Sequence, residues 1–344
     1  MNSGKQKILI SGATGMLGSY LIRFLLQSDQ FHIVGLKRKS SRMELVQDFI
    51  HQIEWREVDL LDVVELESAM EGIHKVYHCA AVVSFDPKMK DYMMEVNVKG
   101  TANMINCALE AGVEKFLHVS SVAAIGRKLG ANSNTLSESS EWVEDRANSQ
   151  YAISKNRAEM EVWRGQAEGL NTVVVNPAII IGAAYWNKGS SKLFQNVYEG
   201  FSFYPKGSNG FVDVHDVVRA MKSLMESSIS NKRFILAAGN FKYREIQGWI
   251  ADKIGRPKPQ KALSPLLAQV AWRVERLRSG ISGKSPLITK ETMRTAMEDW
   301  HYDHSASKTI PNFSYKKMED SIALHAKSFT ASYPNKIDYA ITPF

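Results

Sequence analysis

The chain has 344 residues, of which 44% are hydrophobic and 23% are charged. This composition supports a large buried core and excludes a globally disordered chain. No stretch approaches the roughly eighteen consecutive apolar residues of a membrane-spanning helix, and the polar stretch Met1–Lys7 does not resemble a signal peptide. Two cysteines, Cys79 and Cys107, do not make a disulfide framework. These features predict a cytoplasmic protein.

The formal net charge of +7 is spread along the chain, with local basic clusters at Lys37–Arg42 and Lys253–Lys261. The second cluster is typical of a solvated surface. No nucleic-acid recognition motif accompanies the basic residues, so we predict no nucleic-acid partner.

Short apolar runs alternate with helical patterns through the first half of the chain. The predicted strands are Lys7–Ser11, Phe31–Leu36, Ile53–Val58, Lys75–Cys79, Lys115–Ser120 and Asn171–Asn176. The predicted helices are Gly18–Gln27, Asp62–Met70, Tyr92–Ala111 and Tyr151–Glu168. This alternation predicts an α/β fold with a Rossmann-type, doubly wound parallel sheet.

The pattern changes after Pro177. A strand and helix return at Phe211–Met225 and a further strand at Arg233–Ala237, after which the chain is mostly helical and broken by prolines. We therefore predict a sheet domain over residues 1–182, to which residues 212–238 return. A smaller, discontinuous and mostly helical C-terminal cap is predicted over residues 183–344.

One helix of this cap has an unusual composition. Leu263–Arg278 predicts a basic amphipathic helix, with Trp272, Val274 and Leu277 among its apolar residues. Two interpretations remain open, packing on the rest of the cap and contact with a membrane surface.

Three glycines lie between the first strand and the first helix. Gly12 permits a tight turn, Gly15 lets the backbone approach a pyrophosphate, and Gly18 lets helix and sheet pack closely. The helix N-terminus supplies N–H groups and positive partial charge to phosphates. We therefore predict that residues 1–182 bind a dinucleotide. The turn also contains Thr14, Met16 and Leu17, which we include in the binding site.

The end of the second strand indicates which dinucleotide binds. Lys37, Arg38 and Lys39 stand there with Ser40 and Ser41, and no acidic residue is present to accept from a ribose 2′-hydroxyl. Cations and hydroxyls suit a 2′-phosphate, so the sequence favours NADP(H), with Lys37 and Arg38 in the site. The alternative is a solvated basic loop and NAD as cofactor.

Tyr151 and Lys155 are four residues apart and share one face of a predicted helix. Free tyrosine has a pKa of about 10 and is a poor base at neutral pH. A lysine ammonium one turn away favours the phenolate. The pair is therefore a candidate acid/base site.

Together these motifs resemble the extended short-chain dehydrogenase/reductases of the NAD-dependent epimerase/dehydratase superfamily, from Lys7 to about residue 325. The resemblance implies that Tyr151 is the catalytic acid/base, that Ser121 binds the substrate oxygen, and that Asn97 holds a water behind Lys155. The cofactor contacts that it implies, besides Tyr151 and Lys155 themselves, are Asp59, Leu60, Ala80, Ala81, Pro177 and Ile180.

Within this superfamily the sequence is most similar to dihydroflavonol-4-reductase and 3β-hydroxysteroid-dehydrogenase members. Nucleotide-sugar epimerases carry an arginine, which clamps the diphosphate, where this chain has Asn209. The cap supplies aromatic residues suited to a flat or apolar substrate. They are Tyr185, Trp186, Phe194, Tyr198, Phe201, Phe203 and Tyr204. We therefore predict reduction of a small-molecule ketone or aldehyde, or oxidation of a secondary alcohol.

Two alternatives stay open. The first is a nucleotide-sugar epimerase or dehydratase, in which Lys188, Lys192 or Lys206 binds a phosphate. The second is a non-catalytic NADP(H)-sensing regulatory protein. The resemblance also implies a homodimer formed through the helices at 92–111 and 151–168. We predict no metal site, because His301 and His304 lack the partners of a known metal motif.

Overall fold

The computed structural model describes residues 5–128, 135–282 and 289–344, with side chains except at 265, 271, 275–277 and 279–282. The strands in these stretches are β1 (Gln6–Ser11), β2 (Phe31–Lys37), β3 (Glu54–Glu57), β4 (Lys75–His78), β5 (Lys115–Val119), β6 (Thr135–Leu136), β7 (Thr172–Pro177), β8 (Ile179–Ile181), β9 (Phe203–Tyr204), β10 (Ser208–Asp213), β11 (Lys232–Leu236), β12 (Gly239–Lys242), β13 (Lys261–Ala262) and β14 (His301–Tyr302).

The α-helices in the same stretches are α1 (Met16–Leu25), α2 (Val63–Met70), α3 (Lys90–Met94), α4 (Gly100–Glu110), α5 (Gln150–Ala167), α6 (Lys192–Tyr198), α7 (Val214–Glu226), α8 (Tyr243–Ile254), α9 (Pro265–Ser282), α10 (Lys290–Met297) and α11 (Met318–Ser332). The single helix predicted over Tyr92–Ala111 is wrong as one continuous α-helix. A π-helical turn at Glu95–Lys99 separates α3 from α4.

The main sheet has seven parallel strands in the order β11-β7-β5-β4-β1-β2-β3. Its central strands β4, β5 and β7 are almost entirely buried, as is usual for parallel strands covered by helices on both faces. Ile8 and Ile10 of β1 pack with α1 and α7, whereas Leu9 between them packs with α2 and α4 on the opposite face. The doubly wound α/β fold with a helical C-terminal region is therefore confirmed.

The order of the strands defines where a ligand can bind. β1 pairs with β2 on one side and with β4 on the other, so the winding of the chain reverses at β1. In such sheets ligands bind in the crevice outside the carboxyl ends of the strands at the reversal point. The Gly-rich turn follows β1 directly and lies at that edge.

The C-terminal part of the chain adds small sheets and helices. β8, β10 and β12 form a three-stranded sheet, and a separate core joins α6, α8 and α11 around Trp186, Phe194 and Phe329. β11 returns to the main sheet beside β7. The domain division at residues 182 and 183 stays a prediction. None of the described helices is both long and apolar enough to cross a membrane.

Candidate active site

The turn after β1 forms the base of a groove. Gly12 has a φ of +66°, and a Cβ there would lie 2.7 Å from the Ala80 nitrogen. A Cβ on Gly18 would collide with the carbonyl oxygen of Gly12. At Gly15 a Cβ would meet that same oxygen at 3.3 Å and no other neighbouring element within 4 Å. The fold itself therefore requires glycine at positions 12 and 18, because any side chain there would collide with the backbone. Gly15 instead borders open space.

A cavity of about 220 Å³ extends from this turn along the carboxyl ends of β2, β3 and β4. Nine of the predicted cofactor residues line it, namely Gly12, Thr14, Gly15, Lys37, Arg38, Asp59, Leu60, Ala80 and Ala81. Tyr92 and Val96 also line it, although neither is among the predicted cofactor residues. The predicted cofactor residues at the ends of four separate strands therefore meet in one groove.

The basic residues at the end of β2 have different partners. The Arg38 guanidinium donates to the Tyr92 hydroxyl at 2.8 Å, and its backbone nitrogen donates to Ser41 Oγ at 2.9 Å. Lys37 forms an ion pair with Glu57 at 2.7 Å, which lowers the pKa of that carboxyl. Arg38 and Ser41 are thus positioned at the groove, while much of the charge of Lys37 is balanced by Glu57.

The candidate acid/base residues come from β5 and α5. Ser149 caps α5 by accepting from the Ala152 nitrogen, which places Tyr151 in the first turn. Burial raises the pKa of Tyr151, and the nearby Ser121 hydroxyl opposes that rise. Without a cofactor the group is therefore a neutral phenol, the form that can donate a proton.

Lys155 lies one turn along the same face of α5 and is only 2% exposed. Its ammonium donates to the Val119 carbonyl at 2.8 Å. Burial lowers its pKa to about 8, against the opposing effect of Glu159. The group is therefore still cationic at neutral pH, and it stands near Cys79, which lines the groove.

The depressed pKa of Lys155 predicts a pH effect on stability. The group has a pKa of about 8 in the folded protein and an ordinary value of 10.5. Between these values the unfolded chain binds more protons, so stability rises with pH in this window. The free energy of unfolding of wild type minus that of Lys155→Met should increase by about 3 kcal/mol from pH 8 to 10.5. Urea unfolding of both proteins measures this difference, and a pH-independent difference would contradict the assignment.

Asn97 lies in the π-helical turn between α3 and α4. Its amide nitrogen donates to the Val82 carbonyl at 2.9 Å and to Ser154 Oγ at 3.0 Å, and its amide oxygen accepts from the Val82 nitrogen at 2.7 Å. Both amide protons are thus used, and one acceptor position remains. Asn97 ties the groove residue Val82 to α5. Its predicted role in holding a water behind Lys155 stays a prediction.

The remaining predicted cofactor residues lie outside the lining of the cavity. Pro177 ends β7, and Ile180 in β8 pairs with Val212. A Cβ on Gly182 would lie 3.1 Å from the Met16 sulfur, so the end of β8 contacts the start of α1. Leu17 packs against the core under the sheet. Cofactor contacts for these residues stay predictions.

Two buried histidines under the groove were missed by sequence reasoning. His78 bridges Ser11 Oγ at 2.7 Å and Thr101 Oγ1 at 3.0 Å. Burial lowers its pKa to about 3, so it is neutral. The ring of His118 lies 5.2 Å away, and burial holds its pKa well below the usual range. Both lie in strands with a mostly apolar sequence. No local pattern therefore indicated that their side chains pack beneath the groove.

A second histidine cluster, at Asp213, His215 and His325, has ligand atoms within 4.8 Å of one another. The Asp213 carboxylate contacts His215 Nδ1 at 2.9 Å and His325 Nε2 at 3.2 Å. The other ring nitrogens contact the carbonyl and the hydroxyl of Thr342. All four ring nitrogens thus have protein partners. We call Asp213, His215, His325 and Thr342 the C-terminal clasp. The cluster escaped the sequence analysis because its two histidines lie on different helices.

The chain is similar to known proteins in sequence and in fold. Residues 8–237 match the model of the NAD dependent epimerase/dehydratase family. The chain belongs to this family. Sterol demethylase protein B of Methylococcus capsulatus is 30% identical over 268 residues, covering 76% of this chain and 78% of that protein. A Synechocystis protein provisionally named dihydroflavonol 4-reductase is 28% identical over 310 residues, covering 88% of this chain and 87% of its own. The resemblance to extended short-chain dehydrogenase/reductases is confirmed.

Solved structures share the fold. The UDP-glucose 4-epimerase of Thermotoga maritima superposes with a TM-score of 0.76 at 19% identity, over 95% of this chain and 99% of that chain. At this identity the likeness concerns the fold alone. The groove residues of this chain also suit a dinucleotide: Gly15 leaves open space at the start of α1, and Arg38 stands at the end of β2.

Proposed function

We propose that the protein is an NAD(P)-dependent oxidoreductase that reduces a ketone or aldehyde, or oxidises a secondary alcohol. The observation that carries the proposal is the placement of Tyr151 in the first turn of α5, near the Ser121 hydroxyl, with the buried Lys155 ammonium one turn further along α5 and bonded to the Val119 carbonyl. Tyr151 supplies a neutral proton donor, Ser121 a second hydroxyl and Lys155 a buried cation, all at the edge of the parallel sheet where the groove lies. Membership of a family with reductase-named relatives supports the same conclusion.

The mechanism follows from what each side chain can do. A bound nicotinamide would supply or accept hydride at the substrate carbon. Tyr151 donates its phenolic proton to the substrate oxygen as negative charge develops there, while Ser121 stabilises that oxygen by a hydrogen bond. The Lys155 cation then favours the resulting phenolate. In the oxidative direction the same groups remove the alcohol proton.

Several of the aromatic residues predicted to contact substrate pack inside the cap or against other side chains. Trp186 and Phe194 are fully buried in the core of the cap, and Tyr198 packs against Phe329. The Tyr185 ring lies under the Arg42 guanidinium at 4.0 Å. The partly exposed aromatic residues that remain are Phe201, Phe203 and Tyr204 around β9. We propose that these three favour a flat aromatic or alicyclic carbonyl substrate.

The alternatives are a nucleotide-sugar epimerase or dehydratase and a non-catalytic NADP(H) sensor. Asn209 weighs against the first, because it is 2% exposed and its side chain bonds to Gly210 and Tyr243 inside the protein. The combination of Ser121, Tyr151 and Lys155 weighs against the second. A homodimer through the surfaces of α3–α4 and α5 remains a prediction.

A substrate panel tests the proposal. With NADPH, we expect reduction of aromatic or alicyclic ketones and aldehydes. The loss of absorbance at the nicotinamide band measures this reaction. With UDP-glucose and NAD we expect no epimerisation. Robust epimerase turnover, with no reduction of any carbonyl in the panel, would replace the proposal by the first alternative.

We further propose NADP(H) as the preferred coenzyme. Arg38 lines the groove and is held at its mouth by Tyr92, so its guanidinium can meet a 2′-phosphate. NADPH should therefore bind more tightly than NADH by about 1–3 kcal/mol, the range for charge-assisted bonds. Arg38→Ala should remove most of that margin and leave NADH affinity nearly unchanged.

Calorimetric titration at low and high salt measures this preference, which should weaken as salt screens the exposed charges. Lys39→Ala is the matched control, because Lys39 is exposed and is not among the residues that line the groove. Equal dissociation constants for NADH and NADPH at low salt would contradict the proposed preference for NADP(H) and favour NAD as the cofactor.

A further inference from the structure

The outward face of α9 is apolar. Leu266 is 76% exposed, Leu267 45%, Val270 50% and Val274 58%. We call these four residues the outer stripe. Single exposed aliphatic residues are common on proteins, but four on one helix form a contiguous patch that marks an interaction surface.

Among the side chains of α9 that the structure describes, Ala268 and Trp272 face inward, and Trp272 is only partly buried. Ala268 is 5% exposed and packs with Leu263 and Met293 in a small cluster. At about 100° per residue, Leu266, Val270 and Val274 lie within about 80° of one another on the side away from Ala268. A surface helix normally turns its large aliphatic residues towards the core, whereas four of the described aliphatic residues of α9 face outward.

Cations flank the outer stripe. On the same helical wheel, Arg273 lies on one side of the stripe and Arg278 on the other, and both are exposed. Arg273 also stacks on the Trp272 ring at 4.6 Å. Apolar residues bordered by arginines are typical of a helix that lies in a membrane interface, where the cations reach lipid phosphates. Leu277, predicted for the apolar side, lies outside the described side chains.

We propose that α9 docks the protein in-plane on an anionic lipid surface, with the outer stripe inserted between the headgroups. The net charge of +7 matches such a surface. A second copy of the chain fits less well, because a symmetric contact through the stripe would bring the flanking arginines of both copies together. The proposal concerns a surface outside the groove and does not depend on the proposed reaction.

Cap residues proposed to contact substrate pack against the inward side of α9. Phe203 belongs to the same small cluster as Ala268, and the Phe201 ring lies 6.3 Å from the Phe203 ring and is 45% exposed. Docking through the outer stripe would therefore leave β9 separated from the lipid by about one helix diameter, roughly 10–12 Å.

Vesicle flotation of the full chain tests this proposal. We expect the protein to float with vesicles of phosphatidylcholine containing about one-third phosphatidylglycerol, and to bind pure phosphatidylcholine roughly tenfold more weakly. Val270→Asp should weaken binding to the anionic vesicles by about tenfold or more, because it places a charge in the stripe. Arg273→Glu should do the same, and added salt should weaken wild-type binding.

The matched control is Val64→Asp on α2, since Val64 is 75% exposed and far along the chain from α9. It should float like wild type, and circular dichroism should show all variants folded. Absence of flotation with anionic vesicles, or equal flotation of wild type and Val270→Asp, would overturn the proposal. A wild-type dimer in light scattering that Val270→Asp dissociates, without vesicle binding, would assign the stripe to a second copy.

Discussion

Replacing Tyr151 by phenylalanine should lower kcat by about 10²–10⁴-fold, the usual contribution of a positioned acid/base group. The change removes one oxygen and leaves the ring, which packs edge-on against Phe85 at 5.8 Å. The phenol acts on the substrate oxygen, so nucleotide affinity should stay nearly unchanged. Ser121 alone can still offer a hydrogen bond, but it has no basic partner to replace the proton transfer.

Steady-state kinetics with the best carbonyl substrate and separate calorimetry with NADPH measure the two effects. Tyr198→Phe is the matched control, because its ring packs in the core of the cap against Phe329 and Tyr333. That variant should retain wild-type kcat. A Tyr151→Phe protein with near-normal kcat would remove Tyr151 from the mechanism, whatever the substrate.

Gly15→Val should abolish dinucleotide binding while the protein stays folded. Gly15 has a φ of −81° and a ψ of 172°, which valine adopts without strain. Its Cβ would meet only the Gly12 carbonyl oxygen, at 3.3 Å. The side chain would instead occupy the space in front of α1. Losing two charge-assisted bonds of about 1.5–3 kcal/mol each would weaken binding by at least about a hundredfold.

Calorimetric titration of NADPH, with thermal unfolding as the test of folding, measures this loss. Gly248→Val is the matched control, since a Cβ there would meet only the Lys258 side chain at 3.9 Å on the surface of α8. Unchanged NADPH affinity in a folded Gly15→Val protein would show that the glycine turn is not part of the binding site.

The sequence predicts the main sheet well because its strands carry continuous apolar runs separated by clear stop signals. β5 and β7, buried along their whole length, are found within one residue of their predicted ends. The groove is equally predictable, since glycines and polar residues follow directly after the strands. In both cases the signal is local in the sequence, and the parallel topology then brings the pieces together.

Other features depend on contacts between distant residues and leave no local signal. The sequence pattern of the π-helical turn at Glu95–Lys99 is that of an ordinary α-helix. The bonds of Asn97 to Val82 and Ser154 join residues distant in the sequence, so no local pattern predicts them. Glu159, one turn beyond Lys155, is 1% exposed and accepts from Asn176 and Arg233. Its sequence context is that of a solvated helix surface. The role of Glu159 depends on its burial in the folded protein. Sequence patterns predict the burial of charged residues poorly.

The C-terminal clasp has a consequence for synthesis on the ribosome. The Thr342 nitrogen donates to the Tyr20 hydroxyl across 322 positions of the chain, and the Thr342 carbonyl contacts His215. Tyr20 and His215 therefore emerge long before Thr342 can reach them. The growing chain must hold α1 in place through its other contacts, such as the bond from Tyr20 to the Ala183 carbonyl. The bonds to Thr342 cannot form before residue 342 has been synthesised, so they cannot position α1 or α7 before that point.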